Sequence, residues 1–254
     1  MSHDSILTVT RGVHASVTIS SATASVVIDP GAFGFPQEAV RRADAVLVTH
    51  DHFDHVDLPA LARMALERPA LKVYSPTLLT LSEQQLAEFS GNAGQLSGAS
   101  EPLEPGVSAT TADGEAAARA LAAATVLVVQ GDEFKVGDLS IRVIGEHQAV
   151  ASVDDPPIPN VGYLVNEQVL HPGDARQELA GVDTVFTALA APWQNNPQLE
   201  EHLRRVRPTR VIGIHDATLS DIGREFAQHT LARIAASYGG EAIALNLGEH
   251  LELG

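Results

Sequence analysis

The chain has 254 residues, with 16 Lys and Arg against 32 Asp and Glu, so its net charge is −16 when histidine is neutral. This acidic balance disfavours a broad nucleic-acid surface, because phosphate contacts need clustered basic side chains. The absence of cysteine excludes disulfides and thiolate metal ligands. No apolar run approaches the roughly 18 residues of a membrane span, and the N-terminus lacks the pattern of a signal peptide. We therefore expect a cytoplasmic protein that does not bind membranes.

The first quarter of the chain has the pattern of short strands separated by Ser, Thr and Gly breaks. Alternating or β-branched stretches predict strands over 5–10, 13–20, 24–29 and 45–49. Asp57 followed by Pro59 is typical of a helix start, with Asp as the N-cap. A strand is then predicted over 72–74, and Ser75-Pro76 indicates the start of a second helix with a leucine-rich stripe.

Two segments in the middle of the chain are harder to interpret. Residues 91–106 are rich in Gly, Ser, Asn and Pro, which predicts a surface loop. Residues 112–124 are mostly Ala, which favours helix, yet they contain little apolar bulk to anchor one. We interpret this second segment as a variable insertion, with a lid as one of its readings.

The second half of the chain changes from a β pattern to alternating strands and helices. Strands are predicted over 126–129, 139–144, 161–165, 169–170, 184–187 and 210–214, and helices over 197–206 and 219–237. Strands followed by repeated βα units indicate a layered α/β fold. No segment has the composition of a linker between independent cores, so we predict one domain over residues 1–254.

The most informative stretch directly follows the strand predicted over 45–49. Residues 50–55 read His-Asp-His-Phe-Asp-His and so place three imidazoles and two carboxylates within six positions. Burying such a cluster is costly unless its members are paired or coordinate a metal ion. His50 and His52 are two residues apart, so at a strand end their side chains share one face.

The pattern His-x-His-x-Asp-His resembles the signature of the metallo-β-lactamase superfamily. The resemblance extends from about residue 14 to about residue 215, because His147, Asp174 and His215 each follow a later strand in the expected order. It implies a four-layer αββα sandwich, in which two mixed β-sheets are flanked by helices. The compact chain and the Asp-Pro-Gly turn at 29–31 look most like the ascorbate-phosphate lactonase-like branch.

The resemblance also implies a ligand set for two divalent metal ions. One metal is expected on His50, His52 and His147, and the other on Asp54, His55 and His215, with Asp174 as the bridge. Zinc suits this donor set best, and manganese and iron are the alternatives. The implied activity is hydrolysis, in which a hydroxide held by both metals attacks an ester, lactone or phosphodiester bond of a small substrate. Asp54 and Asp174 are the candidate catalytic residues because they hold the metal pair.

Three other functions remain open for this chain. The first is a phosphodiesterase or nuclease, although long basic extensions for RNA are absent. The second is a mononuclear iron oxidoreductase, since some superfamily relatives bind iron. The third is a metal-binding scaffold without catalysis. A purely structural metal site needs only four closed ligands, whereas this chain offers seven candidates, which argues against this function. The expected partner is a small-molecule substrate, and a homo-oligomer is open because lactonase-like relatives often assemble.

Five further residues have two readings each. Asp29 either holds a ligand histidine through its second ring nitrogen or caps a turn. His171 either supports the bridging carboxylate or ends a strand, and Asp216 either orients the preceding histidine or caps the next helix. Trp193 either lies in a substrate loop or packs against a helix. His14 opens a strand where lactonase-like members of the superfamily often have a Gly-His pair, but Val13 separates it from Gly12 here, so we read it first as an ordinary hydrogen-bonded residue.

Overall fold

The computed structural model describes residues 6–90, 111–152 and 154–254. The strands of the first half are β1 (Leu7–Arg11), β2 (Val17–Ser20), β3 (Ser25–Ile28), β4 (Ala45–Leu47), β5 (Lys72–Ser75) and β6 (Thr125–Leu127). Its helices are α1 (Gln37–Arg42), α2 (Leu58–Glu67), α3 (Glu83–Ser90) and α4 (Thr111–Ala124). The second half contains β7 (Glu133–Val136), β8 (Leu139–Ile144), β9 (Gly162–Val165), β10 (Val169–His171), β11 (Thr184–Ala188), α5 (Asn196–Val206), β12 (Arg210–Ile214), α6 (Asp221–Ala236), β13 (Glu241–Ile243) and β14 (His250–Leu253).

The described strands form two mixed sheets of seven strands each. The first sheet has the order β14-β1-β2-β3-β4-β5-β6, and the second has the order β13-β12-β11-β10-β9-β8-β7. In each sheet the antiparallel strands lie towards one edge and the parallel strands towards the other. The C-terminal strand β14 pairs with β1, so it extends the sheet built by the N-terminal half.

Neighbouring residues of β4 show how the layers are arranged. Leu47 points into the core between the two sheets, where it joins Phe186 of β11. Val46 points the other way, as the alternation of a strand requires, into an apolar cluster shared with α2 and α4. On the outer face of the second sheet, Val211 joins a cluster with α5 and α6. The predicted four-layer αββα sandwich is therefore confirmed.

Capping residues decide where α2 and α3 begin. Asp57 caps α2 as predicted, because its Oδ1 accepts the Ala60 N–H at 3.0 Å. The second helix was predicted from Ser75-Pro76, which is wrong, because α3 begins at Glu83. The Oγ of Ser82 accepts the Gln85 N–H at 3.2 Å, and Gln85 Oε1 accepts the Ser82 N–H at 2.9 Å. This reciprocal capping box fixes the later start.

The alanine-rich segment forms a packed helix. Its described part is α4, whose Ala117 and Leu121 are completely buried in the cluster that also contains Leu61 of α2. Small side chains let two helices approach closely, so alanine supplies contact here without bulk. The reading of this segment as a lid is therefore wrong for α4, which belongs to the outer helical layer. The loop predicted over 91–106 lies outside the described residues.

Four short elements were not predicted, namely α1, β7, β13 and β14. Each has six residues or fewer. Among the described residues, no helix combines the length and the apolar character needed to cross a membrane.

Candidate metal centre

Histidines and aspartates from several strand ends meet at one edge of the sandwich. His50 lies just beyond β4 of the first sheet, while Asp174 and His215 lie just beyond β10 and β12 of the second. Parallel strands bring their carboxyl ends to the same edge, which is where open α/β sheets place their sites. The candidate site is therefore shared by the two sheets.

The first group of candidate ligands consists of His50, His55 and Asp174. One ligand atom of each lies within 4.8 Å of those of the others, and all three residues are buried. The Nε2 of His55 is 3.1 Å from Oδ1 of Asp174, and the Nε2 of His50 is 4.0 Å from Oδ2 of the same carboxylate.

The second group consists of His14, Asp54 and His215. Oδ2 of Asp54 is 3.2 Å from Nε2 of His14 and 3.4 Å from Nε2 of His215. Oδ1 of Asp174 is also 3.4 Å from Nε2 of His215. The Asp174 carboxylate therefore lies between the two groups and contacts a histidine of each.

Three atoms at the centre of this arrangement have no hydrogen bond within the described residues. They are Nε2 of His55, Oδ1 of Asp174 and Nε2 of His215, and all three are buried. The Asp174 oxygen lies 3.1 and 3.4 Å from the two nitrogens without forming a hydrogen bond, and a buried polar atom that lacks a hydrogen bond costs about 1–3 kcal/mol. Imidazole nitrogens and carboxylate oxygens are ligands of zinc, iron and manganese, so these residues fit a bound metal ion.

Asp29 holds His55 from the side opposite the centre. Its Oδ2 is 2.7 Å from Nδ1 of His55, and its two oxygens accept the backbone N–H and the hydroxyl of Thr49 at 2.8 and 2.7 Å. The residue is fully buried and adopts a positive φ of 49°. Asp29 therefore orients a candidate ligand through its second ring nitrogen, which is the role of carboxylates behind metal-binding histidines.

Electrostatics favour a cation at this centre. Burial lowers the pKa of His55, but the carboxylates of Asp29 and Asp174 outweigh it and raise that pKa to about 10. Burial and the neighbouring His55 imidazole lower the pKa of His50 to about 3. Burial acts to raise the pKa of Asp174 and of Asp54, yet neighbouring imidazoles hold both pKa values well below the usual range. Both carboxylates are thus ionised at neutral pH.

The comparison with known proteins agrees with the fold and the motif. Residues 8–215 match the family model described as the Beta-lactamase superfamily domain. The chain belongs to this superfamily. It is 27% identical over 217 residues to Protein Rv0786c of Mycobacterium tuberculosis (strain ATCC 25618 / H37Rv), an alignment that covers 83% of this chain and 84% of that protein.

Two solved structures show the same superfamily fold. The first is Igni18, a metallo hydrolase from the archaeon Ignicoccus hospitalis KIN4/I, with a TM-score of 0.62 and 16% identity, covering 98% of this chain and 99% of that one. The second is CmlA, a diiron beta-hydroxylase from Streptomyces venezuelae, with a TM-score of 0.62 and 17% identity, covering 100% of this chain and 54% of that one. At these identities the likeness concerns the fold alone.

Two of the histidines expected from the superfamily pattern lie outside the two groups. His52 is half-buried, and its Nδ1 is 3.2 Å from Nε2 of His50. His147 is exposed, and its backbone forms an isolated bridge with Pro159. The structure thus brings together His50, Asp54, His55, Asp174 and His215, while the assignment of His52 and His147 as ligands stays a prediction.

Trp193, the single tryptophan of the chain, contacts the central carboxylate. Its Nε1 donates to Oδ2 of Asp174 at 3.1 Å, and the side chain is 8% exposed. The Arg176 guanidinium lies over the ring, 5.2 Å from its centre. Neither reading of the sequence predicted that Trp193 donates a hydrogen bond to Asp174. The sequence indicated only that Trp193 follows β11, near the edge where the other strands supply ligands.

The other two undecided residues each connect distant segments, and His171 also ends β10, as one of its two readings predicted. Both carboxylate oxygens of Asp216 accept from Nη2 of Arg11 at 2.6 Å, and Arg224 Nε is 2.8 Å away. Nε2 of His171 donates to the Ala15 carbonyl at 2.8 Å. Asp216 therefore anchors the segment after β12 to β1, and His171 anchors the turn between β1 and β2 to the second sheet.

Two phenylalanines form an exposed aromatic pair beside the second group. The Phe33 ring meets the His14 ring edge-on at 4.9 Å, and the Phe53 ring meets Phe33 at 5.5 Å. Phe33 is 40% exposed and Phe53 is 64% exposed, which is unusual for large apolar side chains. Phe53 stands between two residues of the superfamily motif, so this apolar surface adjoins the candidate centre.

Proposed function

We propose that the chain is a metal-dependent hydrolase that uses two divalent ions, with zinc as the favoured metal, to cleave an ester, lactone or phosphodiester bond of a small molecule. One observation supports this proposal above all others. Oδ1 of Asp174 lies 3.1 Å from Nε2 of His55 and 3.4 Å from Nε2 of His215, and none of these three buried atoms has a hydrogen bond within the described residues.

The candidate ligands follow from the geometry together with the superfamily pattern. We propose as ligands His50, His52, Asp54, His55, His147, Asp174 and His215. The proximity of five of them supports this set, and His52 lies beside one of the five. His147 is included on the superfamily pattern alone. Two divalent cations held here would act as Lewis acids and lower the pKa of water to about 7, which provides a nucleophile at neutral pH.

The protein's own contribution is to hold ionised carboxylates and oriented imidazoles in place. Asp174 keeps one oxygen towards the centre because its other oxygen accepts from Trp193 and its backbone N–H donates to Asn160 Oδ1 at 2.9 Å. His55 keeps Nε2 towards the centre because Asp29 engages its Nδ1. Such preorganisation reduces the ordering cost of binding.

Iron-dependent oxidation of a small substrate is the second candidate. The same imidazole and carboxylate donors suit iron as well as zinc, and CmlA, which has this fold, is named as a diiron beta-hydroxylase. The lactonase-like branch remains our proposal within the hydrolases, and it rests on the resemblance of the sequence.

Metal content and a substrate panel test the proposal together. The protein is purified without chelator, its metals are measured per chain, and turnover is assayed on bis(p-nitrophenyl) phosphate, p-nitrophenyl acetate and a set of lactones. We expect two equivalents of zinc or manganese, loss of turnover with chelator, and recovery when the ion is returned. Iron without hydrolysis, whether one equivalent per chain or two, would favour the oxidative candidate. Chelator-resistant turnover would overturn the metal-dependent mechanism.

A further inference from the structure

His14 lies among the candidate ligands and by distance alone looks like a third ligand of the second group. Its side chain is 1% exposed, its Nε2 is 3.2 Å from Oδ2 of Asp54, and its ring centre is 3.8 Å from that of His215. The superfamily motif does not include it, so its role must be inferred from its contacts.

The other ring nitrogen of His14 faces a hydrogen-bond donor. The backbone N–H of Ala217 points to Nδ1 at 3.2 Å. A ring nitrogen that accepts a hydrogen bond carries no hydrogen, so neutral His14 has its hydrogen on Nε2. In this tautomer Nε2 has no lone pair for a metal, and its N–H donates to Oδ2 of Asp54. A doubly protonated ring is excluded by the same contact, because Nδ1–H would then oppose the Ala217 N–H.

The candidate ligands show the opposite pattern at Nδ1. That nitrogen of His55 is 2.7 Å from Oδ2 of Asp29, and that of His215 is 2.6 Å from the Ala190 carbonyl. Both partners are acceptors, so in the neutral ring, the form that binds a metal, Nδ1 carries the hydrogen and Nε2 keeps its lone pair. Histidines that bind metals usually donate their second N–H to a carboxylate or a carbonyl in this way.

The backbone around His14 fixes its position independently of Asp54. The His215 N–H donates to the His14 carbonyl at 2.8 Å, and both residues adopt a positive φ of 59°. Arg11, the last residue of β1, pairs with Asp216 just after His215. The turn between β1 and β2 is thus fastened to the segment after β12. Strained backbone of this kind persists only where the surroundings determine it strongly.

We propose that His14 is a positioning residue, which donates its Nε2–H to Asp54 and so joins this carboxylate of the first sheet to the His215 segment of the second, and that it is not a metal ligand. This inference rests on the proposed two-metal site.

A matched pair of variants separates the two roles. In His14→Asn, the amide oxygen can still accept the Ala217 N–H, and asparagine tolerates a positive φ, but the side chain is too short to reach Asp54. In His14→Gln, an amide N–H takes the place of Nε2–H. We expect both variants to keep two metal equivalents, with His14→Asn binding them about 10–100-fold more weakly and His14→Gln recovering most of that loss.

His215→Gln serves as the ligand reference, and we expect it to lose one equivalent. The positioning role is overturned if His14→Gln also loses one equivalent. It is overturned too if His14→Asn weakens metal binding no more than His14→Gln does, or if its weaker binding merely follows a lower unfolding temperature of the metal-free protein. Wild-type protein that binds no metal would instead overturn the proposed function.

Nitrogen-15 NMR of the histidine rings provides a readout that depends on neither activity nor metal content. His14 is assigned by the signal missing from His14→Gln. We expect the pattern of a neutral ring with hydrogen on Nε2 and an unprotonated Nδ1, both in zinc-loaded and in metal-free protein. Hydrogen on Nδ1 would contradict the inference in either state.

Discussion

The loop after β4, residues 48–57, and the loop after β8, residues 145–161, both carry histidines but hold them differently. In the first loop, Thr49 and His55 are fastened to the buried Asp29. The chain packs so closely there that a Cβ on Gly31 would lie 1.9 Å from the Asp54 carbonyl oxygen. In the second loop, His147 is exposed.

The difference shows which ligands the fold has arranged in advance. Side chains held by buried hydrogen bonds need no further ordering when a ligand arrives. An exposed side chain must lose rotamer freedom when it binds a ligand, which costs up to about 2 kcal/mol. The β4 loop should therefore supply more metal affinity per side chain than the β8 loop.

Removing a proposed metal ligand should have the largest effect. We expect Asp174→Ala and His52→Ala to abolish hydrolysis while leaving the fold largely intact, because each removes a proposed ligand and neither lies in the core between the sheets. Metal content, turnover and circular dichroism check this expectation. Asp51→Asn is the matched control, since Asp51 is an exposed carboxylate of the same motif outside both groups. Turnover that survives both alanine variants would make the two-metal mechanism wrong.

Weakening the hydrogen bond between Asp29 and the proposed ligand His55 should have the next largest effect. Asp29→Asn keeps the shape of the side chain but removes the charge that fixes His55, so we expect metal affinity to fall by about 10–100-fold. Competition with a chelating dye measures this change. Asp44→Asn is the control, because Asp44 is an exposed carboxylate that likewise accepts a backbone N–H, from Ser25 at 2.8 Å. Equal affinities in the two variants would contradict the role of Asp29.

The parts of the fold that the sequence revealed are those whose signals are local. Asp57 with Pro59 marks the start of α2, and the apolar run of β4 leads directly into the motif. The start of α3 was misplaced because Pro76 looked like a first-turn proline, whereas the capping interaction at Ser82 decides the boundary. In α4 the packing of alanine against α2 depends on a partner helix, which composition alone does not show.

In the candidate site, too, only the features with a local sequence signal were predicted. The residues at 50–55 are adjacent in the chain, so their chemistry was readable as one cluster. The hydrogen bond between Ala217 and His14 joins residues 203 positions apart, and that between Trp193 and Asp174 crosses from one loop to another. The first contact forms only when the two sheets pack together, and the second forms only when β10 and β11 pair in one sheet, so neither is visible in a local sequence pattern.

A substitution in the exposed loop sharpens the comparison between the two loops. We expect His147→Ala to weaken metal binding less than His50→Ala does, because His50 is fully buried in a fixed loop whereas His147 must first be ordered. Titration of each metal-free variant with zinc gives the two affinities. Equal losses would mean that the metal-bound β8 loop is as well supported as the β4 loop, and the comparison would fail.

The smallest effect is expected at Trp193. Trp193→Phe removes the N–H that holds Oδ2 of Asp174 but keeps an aromatic ring, while the carboxylate retains its backbone hydrogen bond to Asn160. We expect metal affinity to fall by less than about tenfold, since one hydrogen bond to a charged group contributes about 1.5–3 kcal/mol and the ion itself replaces part of it. In the wild type, the fluorescence of this single tryptophan should change when zinc is added. Unchanged fluorescence in a zinc-loaded sample would show that Trp193 does not sense the centre.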